Sequence, residues 1–240
     1  MALWGTIINA LAIIAGGLLG SLVLPRISEG IRNTVMQGLG ISIAVLGITM
    51  ALKSENFLIV IISIVVGGII GEVMRIEYRL NQLGLWVEKQ FHREEKADPN
   101  TGSIAEGFVT ATLIYCIGAM AILGSIDSGL RHNHDILYTK SILDGISAVI
   151  LSSTLGIGVT LSAAPVFLYQ GTIALTATLF TLFISDADLS AIITEVTAVG
   201  GVLIIGIGLN ILHIKKINVA NLLPSIFIAA VIVLGELSLR

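Results

Sequence analysis

Apolar runs separated by short charged loops divide the chain into eight segments, at positions 3–24, 38–52, 57–74, 104–126, 141–164, 166–184, 198–212 and 219–237. The first, LWGTIINALAIIAGGLLGSLVL, has 22 residues and no charge. A helix of that length crosses the roughly 30 Å hydrocarbon layer of a bilayer at about 1.5 Å per residue. Its one amide, Asn9, would be unpaired against lipid, so it is expected to face other protein or a wet cavity. Segments two and seven are short, about 15 residues each, and each follows an amphipathic approach at 31–37 and 189–197. They read as helices that start at the interface or are partly re-entrant. Positions 76–96, IEYRLNQLGLWVEKQFHREEK, repeat apolar residues at Ile76, Leu80, Leu83, Val87 and Phe91. That spacing predicts an amphipathic helix on the cytoplasmic face with Trp86 at headgroup level; a helix packed on neighbouring loops fits the pattern equally. The stretch 97–102, ADPNTG, reads as a flexible linker.

Composition makes this pattern a membrane pattern. Of 240 residues, 55% are hydrophobic and 12% charged, against about 25% charged in soluble domains. The first helix lacks a basic leader and resembles the later segments, so it is expected to be retained rather than cleaved. A single cysteine, Cys116, excludes an internal disulfide and a cysteine metal cluster, and reads as a small buried hydrophobe. A net charge of −3 with scattered basic residues leaves no nucleic-acid footprint. If the loops after segments one, three, five and seven are cytoplasmic, they hold Arg26, Arg32, Arg75, Arg79, Lys89, Arg93, Lys96, Lys215 and Lys216, against Lys53, Arg131, Lys140 and Arg240 opposite. Nine against four predicts both termini outside.

An internal repeat is visible at a shift of 161, which lays 4–49 over 165–210 and pairs Asn9 with Gln170, Gly40 with Gly201, Gly47 with Gly208 and Thr49 with Asn210. After a three-residue insertion Gly71-Glu72 falls on Gly235-Glu236. Segment one then corresponds to segment six, and an odd offset means the copies insert in opposite senses, as in many secondary transporters. A rival shift of 140 pairs Gly5, Gly16 and Pro25 with Gly145, Gly156 and Pro165 over a shorter stretch. The predicted plan is therefore an all-α integral membrane domain of about eight spans. It comprises repeat one (1–75), an amphipathic cytoplasmic linker (76–102), inserted helices (103–164) and repeat two (165–240).

Polar residues inside spans are expensive and commonly mark solute paths, although an interhelical hydrogen bond is the simpler use for each. On this ground Asn9, Thr49, Ser152, Ser153, Thr154, Gln170 and Asn210 are solute-binding candidates, with Asn9 and Thr49 expected toward the outer leaflet and Gln170 and Asn210 toward the inner one. Glu72, Asp144 and Glu236 stand near segment ends and are candidates for ion coupling or for simple solvation. Asp144 follows Lys140 by four residues, a helical ion-pair spacing. No lysine or arginine falls inside a segment so drawn, which favours cations, protons or neutral solutes over anions. Gly156, Gly158 and Pro165 make segment five the expected site of a broken helix, where freed carbonyls could meet a cation. Enzyme signals are poor: Gly145-Ile146-Ser147-Ala148 with His213 only faintly suggests an intramembrane serine nucleophile, and no catalytic or cofactor motif is present. His132, Asn133, His134 and Asp135 read as a solvated loop before a metal site.

Read together, Ile8-Asn9-Ala10 with Gly16-Gly17 and Gly20, Gly71-Glu72, Lys140-Ser141-Ile142-Leu143-Asp144, Leu155-Gly156-Ile157, Ala198-Val199-Gly200-Gly201, Gly208-Leu209, Ile214-Lys215 and Asn221-Leu222-Leu223-Pro224 resemble the YdfK- and YqgA-like bacterial multi-pass membrane proteins. The resemblance spans nearly the whole chain. It implies a bacterial cell-membrane protein of undefined function, described at most as a transporter, and it draws attention to Asn221 and Pro224. The expected function is secondary transport of a small solute or cation by alternating access between the repeats. A non-transporting scaffold or sensor, or a channel, is the alternative. The expected partners are the bilayer, the solute and, through glycine-rich faces, a second copy.

Overall fold

The computed structural model describes residues 2–23, 29–91, 104–183 and 185–238, and the regular structure among them is entirely helical. In chain order the helices are α1 (Trp4–Val23), α2 (Glu29–Ala51), α3 (Phe57–Met74), α4 (Ile76–Phe91), α5 (Ile104–Cys116), α6 (Ala119–Leu130), α7 (Asp135–Leu155), α8 (Gly158–Leu161), α9 (Ala163–Phe183), α10 (Asp186–Ile211) and α11 (Pro224–Ser238). A 3-10 turn at Val219–Leu222 precedes α11. Seven spans among these residues are long and apolar enough to cross a membrane, and α5 with α6 makes an eighth if the pair, bent by 62°, is one span.

Local chemistry sets the ends. Asn56 caps α3 by accepting from the Leu58 N–H, and Arg75 closes it in the left-handed region at φ 51°. Ser185 caps α10 by accepting from the Asp188 N–H, and its hydroxyl donates to the Asp188 carboxylate. Asn133 accepts from the Asp135 N–H at the start of α7. Pro224 opens α11 in the one helical position where a missing N–H costs nothing.

Glycines with positive φ mark the breaks: Gly118 at 144° between α5 and α6, and Gly156 at 77° after α7. Both values suit glycine and strain other residues. The sequence pattern places the break of segment five at Gly156, Gly158 or Pro165; the structure puts the turn between two spans at Gly156, with a lesser interruption at Ser162 between α8 and α9. Gly158 starts α8 and packs so closely on the Ile104 carbonyl that a Cβ would overlap it. Pro165 sits in the first turn of α9, three residues after the interruption at Ser162 that separates α8 from α9 within one span, and it has no N–H for the carbonyl of Leu161, the last residue of α8. Helices α5 and α6 form a further interrupted pair. Segments two and seven are also corrected: the approaches at 31–37 and 189–197 are continuous with their spans, giving α2 of 23 residues and α10 of 26. Helix α4 forms as the apolar spacing predicts; the Trp86 side chain and the 97–102 linker lie outside the described residues.

The chain forms two compact units. In the first, α1 and α7 run parallel, because Gly5, Gly16 and Gly20 face Leu137, Gly145 and Val149 in turn. Helices α8 and α9 return antiparallel to α1, with Thr160 against Gly17 and Gln170 against Asn9. Helix α5 lies antiparallel to α7, since Gly107 meets Leu155 and Tyr115 meets Ser147.

In the second unit α10 is the enclosed helix: 78% of its apolar window is buried, against 28% for α3 and 33% for α11. It crosses α2 antiparallel through glycines whose contacts are reciprocal. Gly40 meets Gly208 and Leu212 while Gly201 meets Gly47 and Ala51; Gly47 meets Ile205 while Gly208 meets Ala44. Each contact has its counterpart 161 positions away in both partners. Helices α3 and α11 are antiparallel as well, with Gly67 on Ser225 and Gly71 on Asn221. This crossing has no such counterpart, as nothing approaches Gly235.

The crossing of α2 and α10 leaves no room for a methyl group. Gly201→Ala, whose Cβ would stand 2.5 Å from the Ala51 nitrogen, is expected to cost about 1–3 kcal/mol through overpacking. Gly38→Ala, with open space around it, should leave the thermal unfolding midpoint in detergent unchanged or slightly higher. Equal midpoints for the two variants would count against the close crossing.

Candidate functional site

Three helices of the first unit bring polar side chains to one point. Within α7, Lys140 and Asp144 are one turn apart, and the Lys140 Nζ donates to Asp144 Oδ1 at 2.9 Å and Oδ2 at 2.7 Å. From α1, Asn9 Nδ2 donates to Asp144 Oδ2 at 3.1 Å and to Gln170 Oε1 of α9 at 3.3 Å. Asn9 and Gln170 are fully enclosed, and Lys140 and Asp144 are each only 6% exposed. Asp144 is the tenth of 21 residues in α7, roughly 14 Å along a helix of about 31 Å. An ion pair is thus buried near the middle of a span. The whole is neutral, which is the condition under which charges are tolerated at that depth.

Helix α5 supplies the far wall. The Tyr115 ring centroid lies 5.9 Å from the Lys140 Nζ, within the range of a cation–π attraction. Ser147 donates weakly to the Tyr115 hydroxyl at 3.4 Å and to its own helix at the Asp144 carbonyl. Three buried polar atoms near this point have no hydrogen-bond partner: Asn9 Oδ1, Gln170 Nε2 and, one turn before Asn9 on α1, Thr6 Oγ1. An unmade bond at a buried polar atom costs about 1–3 kcal/mol.

The structure corrects the placement of several expected residues. Lys140 lies inside a span, because α7 begins six residues before the segment drawn from charge spacing; the expectation of no basic residue within a span fails. Asp144 moves from the end of a span to its middle. Asn9 and Gln170 are bonded to each other rather than held at separate depths. Thr49 is exposed on α2 and donates to its own helix at Leu46 O. Asn210 ties down the following loop through the Ile217 N–H and carbonyl. Ser152 crosses to the Gly17 carbonyl, whereas Ser153 and Thr154 turn back on carbonyls of α7. Glu236 is exposed. His134 meets the Ser128 hydroxyl at 2.8 Å.

In the second unit a different polar knot forms. Asn221 donates to the Glu72 carboxylate at 2.6 Å and accepts from the Glu77 N–H, while Glu77 accepts from the Ala220 N–H. At the opposite end of α3, polar wiring also escapes sequence reading: Glu195, only 4% exposed, accepts from Ser54 Oγ and from the N–H groups of Glu55 and Asn56. Lys140, Tyr115, Thr6 and Glu195 were not singled out as site residues. For Lys140 the signal exists in the i, i+4 spacing to Asp144, which neutralises both charges and lets the apolar run be extended back to Asp135.

Residues 4–234 match the family described as Protein of unknown function (DUF554). The chain belongs to that family. Among its curated relatives, the Uncharacterized membrane protein YdfK of Bacillus subtilis (strain 168) is 35% identical over 235 residues, covering 96% of each chain. The Uncharacterized protein YqgA of Escherichia coli (strain K12) is 30% identical over 225 residues, covering 94% of each. No solved structure matches. This DUF554 member is thus an all-helical membrane protein with an ion pair buried among its described helices.

Removing one partner of the ion pair leaves the other buried and uncompensated. Asp144→Asn is expected to lower stability by about 3–5 kcal/mol, and Lys140→Met with Asp144→Leu to recover most of that loss. Thermal unfolding of the purified variants checks both; a double variant no more stable than the single one would contradict the pairing.

Proposed function

We propose that this protein is a secondary transporter that moves a small solute or cation by alternating access, with Asn9, Lys140, Asp144 and Gln170 as its binding site. The observation that carries the reading is an ion pair buried at mid-span beside amide atoms with no partner. A structural knot gains most when every polar atom is satisfied, whereas a site that exchanges partners holds some in reserve. The inverted repeat is part of this reading. It is supported by the antiparallel sense of α1 with α9, α2 with α10 and α3 with α11, and by the reciprocal glycine contacts of α2 and α10. Backbones in direct contact through glycine can slide without repacking side chains, a suitable bearing for a rocking motion. We place the protein in the bacterial inner membrane with both termini outside. With Lys140 withdrawn from the loops, the basic residues number nine on the proposed cytoplasmic side against three opposite.

A second reading, a non-transporting scaffold or sensor, is favoured by one observation: Asn9 and Gln170 are bonded across helices in a closed interior. The two readings separate in proteoliposomes carrying pH- and potential-sensitive dyes, challenged with a panel of ions and metabolites. Transport predicts a ligand-dependent flux that falls by about tenfold in Asn9→Ala and in Gln170→Ala, the equivalent of about 1.4 kcal/mol each, at unchanged protein yield. A scaffold predicts silence in every lane and a loss of stability alone in both variants.

A further inference from the structure

The site's charge balance and its oxygens define what it can exchange, an inference that rests on the transporter reading above. We infer that the site binds a small monovalent alkali cation, sodium or lithium, on the Asp144 carboxylate in exchange for one proton of the Lys140 ammonium.

The argument begins with neutrality. Lys140 and Asp144 sum to zero, and a net charge at that depth is costly. The pair opens only if what enters and leaves keeps the sum at zero. When a cation M⁺ takes the carboxylate, one Nζ–H bond of Lys140 breaks and its proton leaves to water. The lysine is left as a neutral amine and Asp144 stays ionised. The site then holds one positive and one negative charge, as before. A divalent cation replacing that proton would leave a surplus positive charge.

The polar atoms at hand suit such an ion. Two of the three partnerless atoms, Asn9 Oδ1 and Thr6 Oγ1, are oxygens; Asn9 is bonded to both Asp144 and Gln170, and Thr6 lies one turn before it on α1. Neutral and anionic oxygens are the ligands that hard cations take. A carboxylate-bearing solute entering with a proton would preserve neutrality too. It needs room for several heavy atoms, and the partnerless atoms are sealed from any water-sized probe. A dehydrated alkali ion is a single atom, and it takes the carboxylate as the neutral Lys140 amine swings off the two oxygens it now holds.

The groups that sense the pair are few. Helices α1 and α9 face it with Thr6, Asn9 and Gln170, which do not titrate. Helix α5 brings Tyr115, whose ring centroid lies 5.9 Å from the Lys140 Nζ, and its neighbour Cys116. Asp127 of α6 pairs with Arg131, the residue that follows the helix. Helix α8 carries no titratable side chain.

The test starts with the full-length wild type. Its thermal midpoint in detergent is titrated with NaCl, LiCl and choline chloride across a pH series. Competition with one proton makes the apparent sodium or lithium affinity rise about tenfold per pH unit, with choline inert. In proteoliposomes with a trapped pH dye, external sodium or lithium alkalinises the lumen. Lys140→Arg keeps the ion pair and the fold but holds its proton, so alkalinisation falls to the protein-free level and the pH dependence of stabilisation disappears. Cation stabilisation that is absent or independent of pH in the wild type overturns the inference, as does exchange that survives in Lys140→Arg. Luminal acidification on adding a carboxylic acid anion, abolished in Asn9→Ala, would overturn it too while sustaining transport. Proton-linked cation binding without any flux supports this site and defeats the transporter reading.

Discussion

A charge pair in a low-dielectric interior has to be neutral, bonded and shielded at once, and the first unit is built around meeting those demands. Lys140 and Asp144 supply neutrality within one helix turn. Asn9 supplies a further donor to the carboxylate, which fixes the rotation of α1 against α7. Gln170 is drawn in by the same amide and fixes α9. The glycines of α1 allow this: only with Gly16 and Gly20 against backbone carbonyls of α7 does α1 come near enough for an asparagine, one of the shorter polar side chains, to reach. Close backbone packing and the polar contacts are therefore one constraint seen from two sides.

The second unit depends on small residues without a charge at its centre. Glycines at the crossing of α2 and α10, and at that of α3 with the 3-10 turn and α11, put backbone against backbone. Polar bonding is pushed to the ends of the spans, where Glu195 gathers the N-terminal groups of α3 and Asn221 joins Glu72 to the start of α4. These bonds satisfy helix-end groups that lipid would leave bare. The division between a unit with charges at mid-span and one with them at its ends is the clearest difference between the two.

Much of the fold is legible from hydrophobic run length, because a bilayer imposes a length that no soluble environment does. The misreadings have a common cause. Charge spacing ends a segment at a lysine, so Lys140 trims the start of α7, and the small polar residues after Gly156 carry the segment on toward Pro165. The polar residues Arg32, Asn33, Glu195 and Thr197 likewise shortened α2 and α10. Charges end spans only when they are unpaired; Lys140 has Asp144 on its own helix and Glu195 has the α3 cap. Asn9 and Gln170 were legible as amides in apolar surroundings, but their meeting was not, since it depends on the close approach of α1 to α7. The bend at Gly118 left no sign beyond a glycine in a run rich in them.

Lys140 and Asp144 share a helix, and this bears on how the protein is made. A pair divided between two helices would have to cross into the bilayer as two separate charges and find its partner afterwards. Here α7 folds with its charges already cancelled, so it can leave the translocon as a nearly neutral rod before any neighbour is in place. Asn9 and Gln170 join only when the helices associate, and they turn a local pairing into a tertiary one. Charge cancellation in α7 thus needs no neighbouring helix, whereas the bonds of Asn9 and Gln170 do.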